Sequence, residues 1–242
     1  MPRFTDRIAV VTGAGLGIGR ACAERLAAEG AHVIVTDRDE SAATETAAAI
    51  VSSGGSAEAF RLDVALEDDF DRLVAHCQER HGHVDVLVAN AGIAIAGSAT
   101  TTDIDAWNTV QDVNLRGVWL AMRATIPLML ERGGAIVTMS SCQALIGFPG
   151  WAAYAASKGG IVSLTQQVAI DYAPRIRVNA VAPGTILTPM NERIFAETDD
   201  VEALTRAWGR QHALGRFGMP DEVASVVAFL ASDDASFVTG TC

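Results

Sequence analysis

"RIAVVTGAGLGIG", residues 7–19, joins a β-branched apolar run to a glycine-rich turn, and the reading of this junction decides the fold. Residues 7–12 predict a buried strand that stops at Gly13. Helical apolar spacing from Ile18 to Glu29, closed by Gly30, predicts the helix that follows. Between them lie Gly13, Gly15, Leu16, Gly17, Ile18 and Gly19, where glycines let backbone approach a pyrophosphate and a helix N-terminus offers free N–H groups. The glycines fall as G-x-x-x-G-x-G with Gly15 inside, not as GxGxxG. A tight strand–helix turn also wants glycine, so the turn needs its context.

That context is a repeating alternation. "AHVIVTD" (31–37) predicts the next strand, followed by an Ala-rich helix to about Ser52. A strand near 57–63, a helix over 67–80, a strand over 85–90, a long helix over about 104–131 and a strand over 135–140 continue it. A helix over about 152–172 and a strand over 176–184 complete the pattern. Strands that are apolar throughout and alternate with helices imply a parallel sheet covered on both faces. The expected fold is α/β, a single-domain Rossmann-like doubly wound parallel sheet over residues 1–242. Residues 185–219 break the rhythm with Pro189, Gly209, Gly215 and Gly218 among Met190, Ile194, Phe195, Leu204 and Trp208, and are the expected substrate lid.

With 242 residues, half of them hydrophobic, the chain can bury one sizeable core. A net charge of −11 argues against nucleic acid, which needs a basic face. No apolar run approaches the ~18 residues of a membrane span, and no leader pattern opens the chain, so the expectation is a cytoplasmic protein with no membrane partner. Cys22, Cys77, Cys142 and Cys242 are dispersed and suggest neither disulfides nor zinc. His81-Gly82-His83 has no carboxylate or cysteine at ligand spacing, so no metal is expected there.

Asp37 closes the second predicted strand, 18 residues after Gly19. A carboxylate there accepts hydrogen bonds from the ribose hydroxyls of NAD and repels the 2′-phosphate of NADP. Arg38 suits phosphate and pulls the other way, while Leu16 adds no second cation. The balance favours NAD, with NADP less favoured. Asp63-Val64 and Asn90-Ala91-Gly92 end the third and fourth strands at the same edge, suited to adenine and ribose contacts or to plain strand capping.

"YAASK" (154–158) places Tyr154 and Lys158 on one helix face. A surface tyrosine covering a lysine stem would explain the pair taken singly. Removing a proton from an alcohol as hydride leaves it needs an acceptor, and a phenol titrating near ~10 needs positive charge nearby to serve.

T-G-x-x-x-G-x-G at 12–19, Asp63, N-A-G at 90–92, Asn114, Ser141, Y-x-x-x-K at 154–158 and P-G-x-x-x-T at 183–188 resemble, in order and spacing, the short-chain dehydrogenase/reductase family. The resemblance implies that Tyr154 is the acid/base and that Lys158 lowers its pKa and holds the nicotinamide ribose. It selects Ser141 over Ser140 as the residue that bonds the substrate oxygen, and it sets Asn114 at a local kink, holding a water in a relay through Lys158. It gives Pro183, Gly184, Ile186 and Thr188 to the nicotinamide carboxamide. The sequence stops at "FVTGTC", where members of the family run on through a last apolar strand that takes part in a tetramer; a homodimer or homotetramer is expected here.

The expected function is an NAD-dependent oxidoreductase interconverting a secondary alcohol or diol and its ketone. An NADPH-dependent 3-oxoacyl-thioester reductase and a non-catalytic NAD-binding sensor are the alternatives; Asp37 counts against the first and the complete Asn114–Ser141–Tyr154–Lys158 set against the second. Ser141, Gln143, Leu145, Trp151, Tyr154, Met190, Ile194, Phe195 and Trp208 are the expected pocket lining, mostly apolar with one amide, suiting an alicyclic or aromatic alcohol.

Overall fold

The computed structural model describes residues 2–196, 201–210 and 212–242. Six strands, β1 (Ile8–Thr12), β2 (His32–Asp37), β3 (Ser56–Arg61), β4 (Val86–Ala89), β5 (Gly134–Met139) and β6 (Ile176–Val181), form one sheet in the order β3-β2-β1-β4-β5-β6. Every pairing is parallel. The connections are helices α1 (Gly17–Ala28), α2 (Glu40–Ser52), α3 (Glu67–Arg80), α4 (Ile104–Gln111) with α5 (Gly117–Met129), and α6 (Ala152–Tyr172). Beyond β6 come α7 (Pro189–Ala196), α8 (Val201–Gly209) and α9 (Pro220–Ala231).

Alternation along the strands divides the core between the two faces. Val11, Val33, Val35 and Val88 face one way and pack with residues of α1, α2 and α9. Val10, Ile34, Leu87 and Ile136 face the other and pack with α3, α5 and α6. The strand order reverses between β1 and β4, and at such a switch point ligands bind beyond the carboxyl ends of the strands. The predicted Rossmann-like sheet is the one observed.

Three details differ from the predicted elements. The long helix near 104–131 is interrupted by a wide π-helical turn, Asp112–Arg116, which sets Asn114 inward. The sixth strand ends at Val181, two residues before Pro183, which has no N–H to give a ladder. No element is predicted beyond 219, yet α9 forms with Pro220 at its first position and packs on α1. Residues 238–241 run beside β6, where Gly240 N donates to Val178 O and Thr241 O accepts from Ala180 N, each at 2.8 Å. Among the described residues, no helix is long and apolar enough to cross a membrane.

Candidate active site

The glycine-rich turn is shaped by close contacts that no side chain could share. A Cβ on Gly19 would fall 2.1 Å from the Gly13 carbonyl oxygen, and Gly13 itself has φ +61. Asn90 Nδ2 donates to both Thr12 O and Gly13 O at 3.0 Å, so this residue pins the turn from the neighbouring strand end. Its own amide and that of Ala91 donate to Thr12 Oγ1. Helix α1 begins after Leu16 with no side-chain cap, which leaves its first-turn amides aimed at the crevice. A pyrophosphate fits this cradle by shape and by charge.

Asp37, at the carboxyl end of β2, accepts from Gly15 N at 3.0 Å and from Asp39 N at 3.1 Å. One amide bond falls on each carboxylate oxygen, so lone pairs remain on both for a ribose diol. Arg38 beside it is exposed. Asp63 accepts from Ala65 N at 3.0 Å, a turn cap, and Val64 packs under Gly117, where a Cβ would come within 3.0 Å of it.

Across the switch point, the sequence-predicted catalytic residues converge. Ser140 Oγ donates to the Lys158 carbonyl at 2.9 Å, so it is spent inside the fold. Ser141, one residue on, turns the other way: it caps the 3-10 turn Cys142–Ala144 and reaches the Tyr154 phenol, where it favours the charged form. Lys158 is 3% exposed, and its Nζ lies 5.5 Å from the Tyr154 ring centre while donating to Met139 O at 2.8 Å. Burial lowers the Lys158 pKa to about 8. Burial also pushes the Tyr154 phenol above its ordinary value, against a lowering hydrogen bond with Ser141. The Trp151 ring stands edge-on to Tyr154 at 6.4 Å between centroids.

Asn114 is fully engaged. Its Oδ1 accepts from Ile93 N at 2.8 Å, and its Nδ2 donates to Ile93 O at 2.9 Å and to Ser157 Oγ at 3.0 Å. Ser157 in turn donates to Tyr154 O at 2.7 Å. The expected kink is present, and both side-chain groups of Asn114 are bonded within the fold. Gly92 closes the group: a Cβ there would come within 3.3 Å of both Asn114 Oδ1 and Lys158 Nζ.

A family model described as enoyl-(acyl carrier protein) reductase matches residues 13–242. The 3beta-hydroxysteroid dehydrogenase 1 of Eggerthella lenta is 43% identical, with 96% of this chain and 89% of that protein covered. The cyclohexanol dehydrogenase of an Acinetobacter species is 40% identical over 99% of this chain and 93% of that protein. A solved structure described as a short-chain dehydrogenase/reductase from Burkholderia xenovorans superposes with a TM-score of 0.96 at 37% identity, covering 100% of this chain and 95% of that one. The chain belongs to the short-chain dehydrogenase/reductase family. It is an oxidoreductase acting on CH–OH groups with a nicotinamide cofactor, and the cradle, Asp37 and the glycine contacts above fit that cofactor.

In this oxidoreductase, the segment after β6 folds back over the crevice. Thr188 is buried with its methyl side against Gly17, where a Cβ would meet Thr188 Cγ2 at 3.4 Å, so the glycine-rich turn and the 183–188 segment touch. Ile186 is buried in the core, and Asn191 Nδ2 donates to its carbonyl at 2.8 Å. Residues 185–187 pair with Gly218 through Leu187 N to Gly218 O at 2.9 Å and Gly218 N to Thr185 O at 3.0 Å. His212, which the sequence did not single out, covers Gly184: a Cβ there would lie 2.7 Å from its ring. It is a lone histidine in the irregular insert, and no spacing marks it.

The expected pocket residues separate. Trp151 and Gln143 flank Tyr154 and Ser141; Gln143 N donates to Ser141 Oγ at 3.2 Å, while its Oε1 is buried without a hydrogen-bond partner among the described residues. Leu145 is 70% exposed and Met190, at the start of α7, is 37% exposed. Both therefore stand at the rim. Trp208 is half-buried on α8. The side chains of Ile194, Phe195 and Leu204 lie outside the described residues. Arg206 is held to Glu202 at 3.0 Å along α8.

Proposed function

We propose that the enzyme is an NAD-dependent dehydrogenase that interconverts an alicyclic secondary alcohol or diol and its ketone, with Tyr154 as general acid/base. The observation that carries this reading is the Tyr154 phenol, bonded to Ser141 on one side and facing the buried Lys158 ammonium on the other. When bound, the nicotinamide supplies the hydride acceptor. Tyr154, as phenolate, accepts the proton of the substrate hydroxyl as the C–H hydride departs, and in the reverse direction returns it to the carbonyl oxygen. Ser141 donates to the same oxygen and stabilises the charge that builds on it. Lys158 supplies the positive charge that a buried phenol needs, and Asn114 is a positioning residue that ties the 90–93 loop to the helix carrying both.

Asp37 supports NAD over NADP, because a 2′-phosphate would meet a carboxylate already fixed by two backbone amides. Trp151, Gln143 and Leu145 support a mostly apolar pocket, and the two relatives' names both denote cyclic secondary alcohols. Residues 185–219 serve as the lid within one domain, and the pairing of 185–187 with Gly218 joins its two ends. Ile104, Trp107 and Trp119 expose large apolar area on α4 and α5, a surface suited to a homodimer or homotetramer.

The test is absorbance-detected reduction of NAD and, separately, NADP with a panel of cyclic, aryl and aliphatic secondary alcohols and diols. Turnover with NAD on cyclic substrates is expected. Turnover with NADPH and 3-oxoacyl thioesters alone would replace this reading with the reductase one.

A further inference from the structure

At the opposite edge of the sheet from Asp37, three imidazoles surround one carboxylate. His32 opens β2, Glu58 lies in the edge strand β3, His76 is on α3 and His81 follows that helix. In the β2–β3 register His32 pairs with Ser56 and Ile34 with Glu58, so these residues share the sheet face that α3 covers. Nε2 of His81, His76 and His32 approach Glu58 Oε1 at 2.7, 3.1 and 3.3 Å. His76 Nε2 is buried, and despite its closeness to Glu58 it makes no aligned hydrogen bond. Arg80 Nε takes the other carboxylate oxygen at 3.2 Å, and His32 Nδ1 is fixed by Ser56 Oγ at 2.7 Å, which turns its Nε2 toward Glu58.

One carboxylate oxygen cannot accept well-aligned bonds from three imidazole N–H groups. The same atoms suit an ion. Ligand atoms of His32, Glu58 and His81 all lie within 4.8 Å of one another. An ion bound at about 2.0–2.1 Å in a tetrahedron sets its ligands roughly 3.3 Å apart; the Glu58–imidazole separations of 2.7 to 3.3 Å are near this, while the more widely set imidazoles would draw in around the ion. We propose that His32, Glu58 and His81, with His76 at the fourth position, bind one divalent ion of the zinc class. Imidazole nitrogens with a single carboxylate select zinc, cobalt or nickel over magnesium or calcium, which take oxygen ligands. Ser56 is the outer partner that orients a ligand imidazole. The ion would clip edge strand β3 and α3 to β2. Along β2 the site lies five residues from Asp37, roughly 16 Å at the rise of a strand, so it has no part in hydride transfer. The His81-Gly82-His83 spacing is not the ligand unit; His83 Nε2 lies at 3.1 Å from Asp85 instead.

The test titrates chelator-treated protein with Co²⁺, followed by visible absorbance, and then displaces it with Zn²⁺ while thermal unfolding is recorded. One equivalent should produce the visible bands of an N/O-ligated cobalt, and Zn²⁺ should raise the melting temperature. His32→Asn combined with His81→Asn should weaken binding by about 100-fold or more, while His76→Gln costs about 10-fold. Retained alcohol dehydrogenase activity in the double variant shows that it is folded. Absence of both cobalt bands and zinc stabilisation in the unsubstituted protein would overturn the proposal and leave a proton-sharing cluster. Binding that survives in the double variant would also overturn it, placing the ion at another group such as Cys142 or Cys242.

Discussion

Asn114 and Ile93 clasp each other through both partners' amide groups, at 2.8 and 2.9 Å, across the widened turn that interrupts the helix between α4 and α5. That clasp holds the loop after β4 against the helix bearing Tyr154 and Lys158, because Asn114 also bonds Ser157. Asn114→Ala should leave the Ile93 amide buried without an acceptor, a cost of about 1–3 kcal/mol. A lowered urea midpoint with a larger loss in kcat than in cofactor affinity is expected. Unchanged stability would show that the loop re-forms its bonds elsewhere.

Gly19→Ala places a methyl group where the Gly13 carbonyl oxygen lies 2.1 Å away. The turn must open, and with it the amide cradle at the start of α1. NADH binding, followed by fluorescence, should fall by about 100-fold or more if the pyrophosphate rests there. Near-normal affinity would move the phosphate site off this turn.

Asp37→Ala removes a carboxylate fixed by Gly15 N and Asp39 N. If that carboxylate holds the ribose, two charge-assisted hydrogen bonds go, and the repulsion of a 2′-phosphate goes with them. NAD should bind about 10- to 100-fold more weakly and the gap to NADP should narrow. An unchanged ratio of kcat/KM for the two cofactors would shift the preference to another residue, Arg38 first.

Lys158 carries a sign that can be checked by titration. Its folded pKa is lowered from 10.5 to about 8 by burial. Below pH 8 both folded and unfolded chains carry the proton, and folding bears the full cost of burying the charge. Between about 8 and 10.5 only the unfolded chain binds it, so this residue makes stability rise with pH across that window. Lys158→Met should remove that rise. Identical pH slopes for the two proteins in urea unfolding would contradict the burial argument.

Much of this was legible in the sequence where chemistry is written into short runs. "TGAGLGIG" with Asp37 gave the cradle and its carboxylate because strand, turn and helix follow one another directly. Tyr154 and Lys158 are one helical turn apart, so their meeting needed no tertiary knowledge. Ser141 could be chosen over Ser140 only by resemblance; the structure gives the physical reason, since the Ser140 hydroxyl is taken by the Lys158 carbonyl. The wide turn at Asn114 was expected only through the resemblance, because asparagine is an ordinary if middling helix residue and its helical spacing alone shows no break. His212 over Gly184, and His32, Glu58, His76 and His81 around one oxygen, come from distant segments joined only by sheet register and helix packing.

The central claim is that Tyr154 moves the proton. Tyr154→Phe keeps the ring against Trp151 and removes only the hydroxyl. Steady-state oxidation of the best cyclic alcohol by NAD, measured beside NADH affinity for the same variant, tests it directly. The account predicts a loss in kcat of about 10²–10⁴ with cofactor affinity nearly unchanged. Substantial turnover by the variant would contradict it.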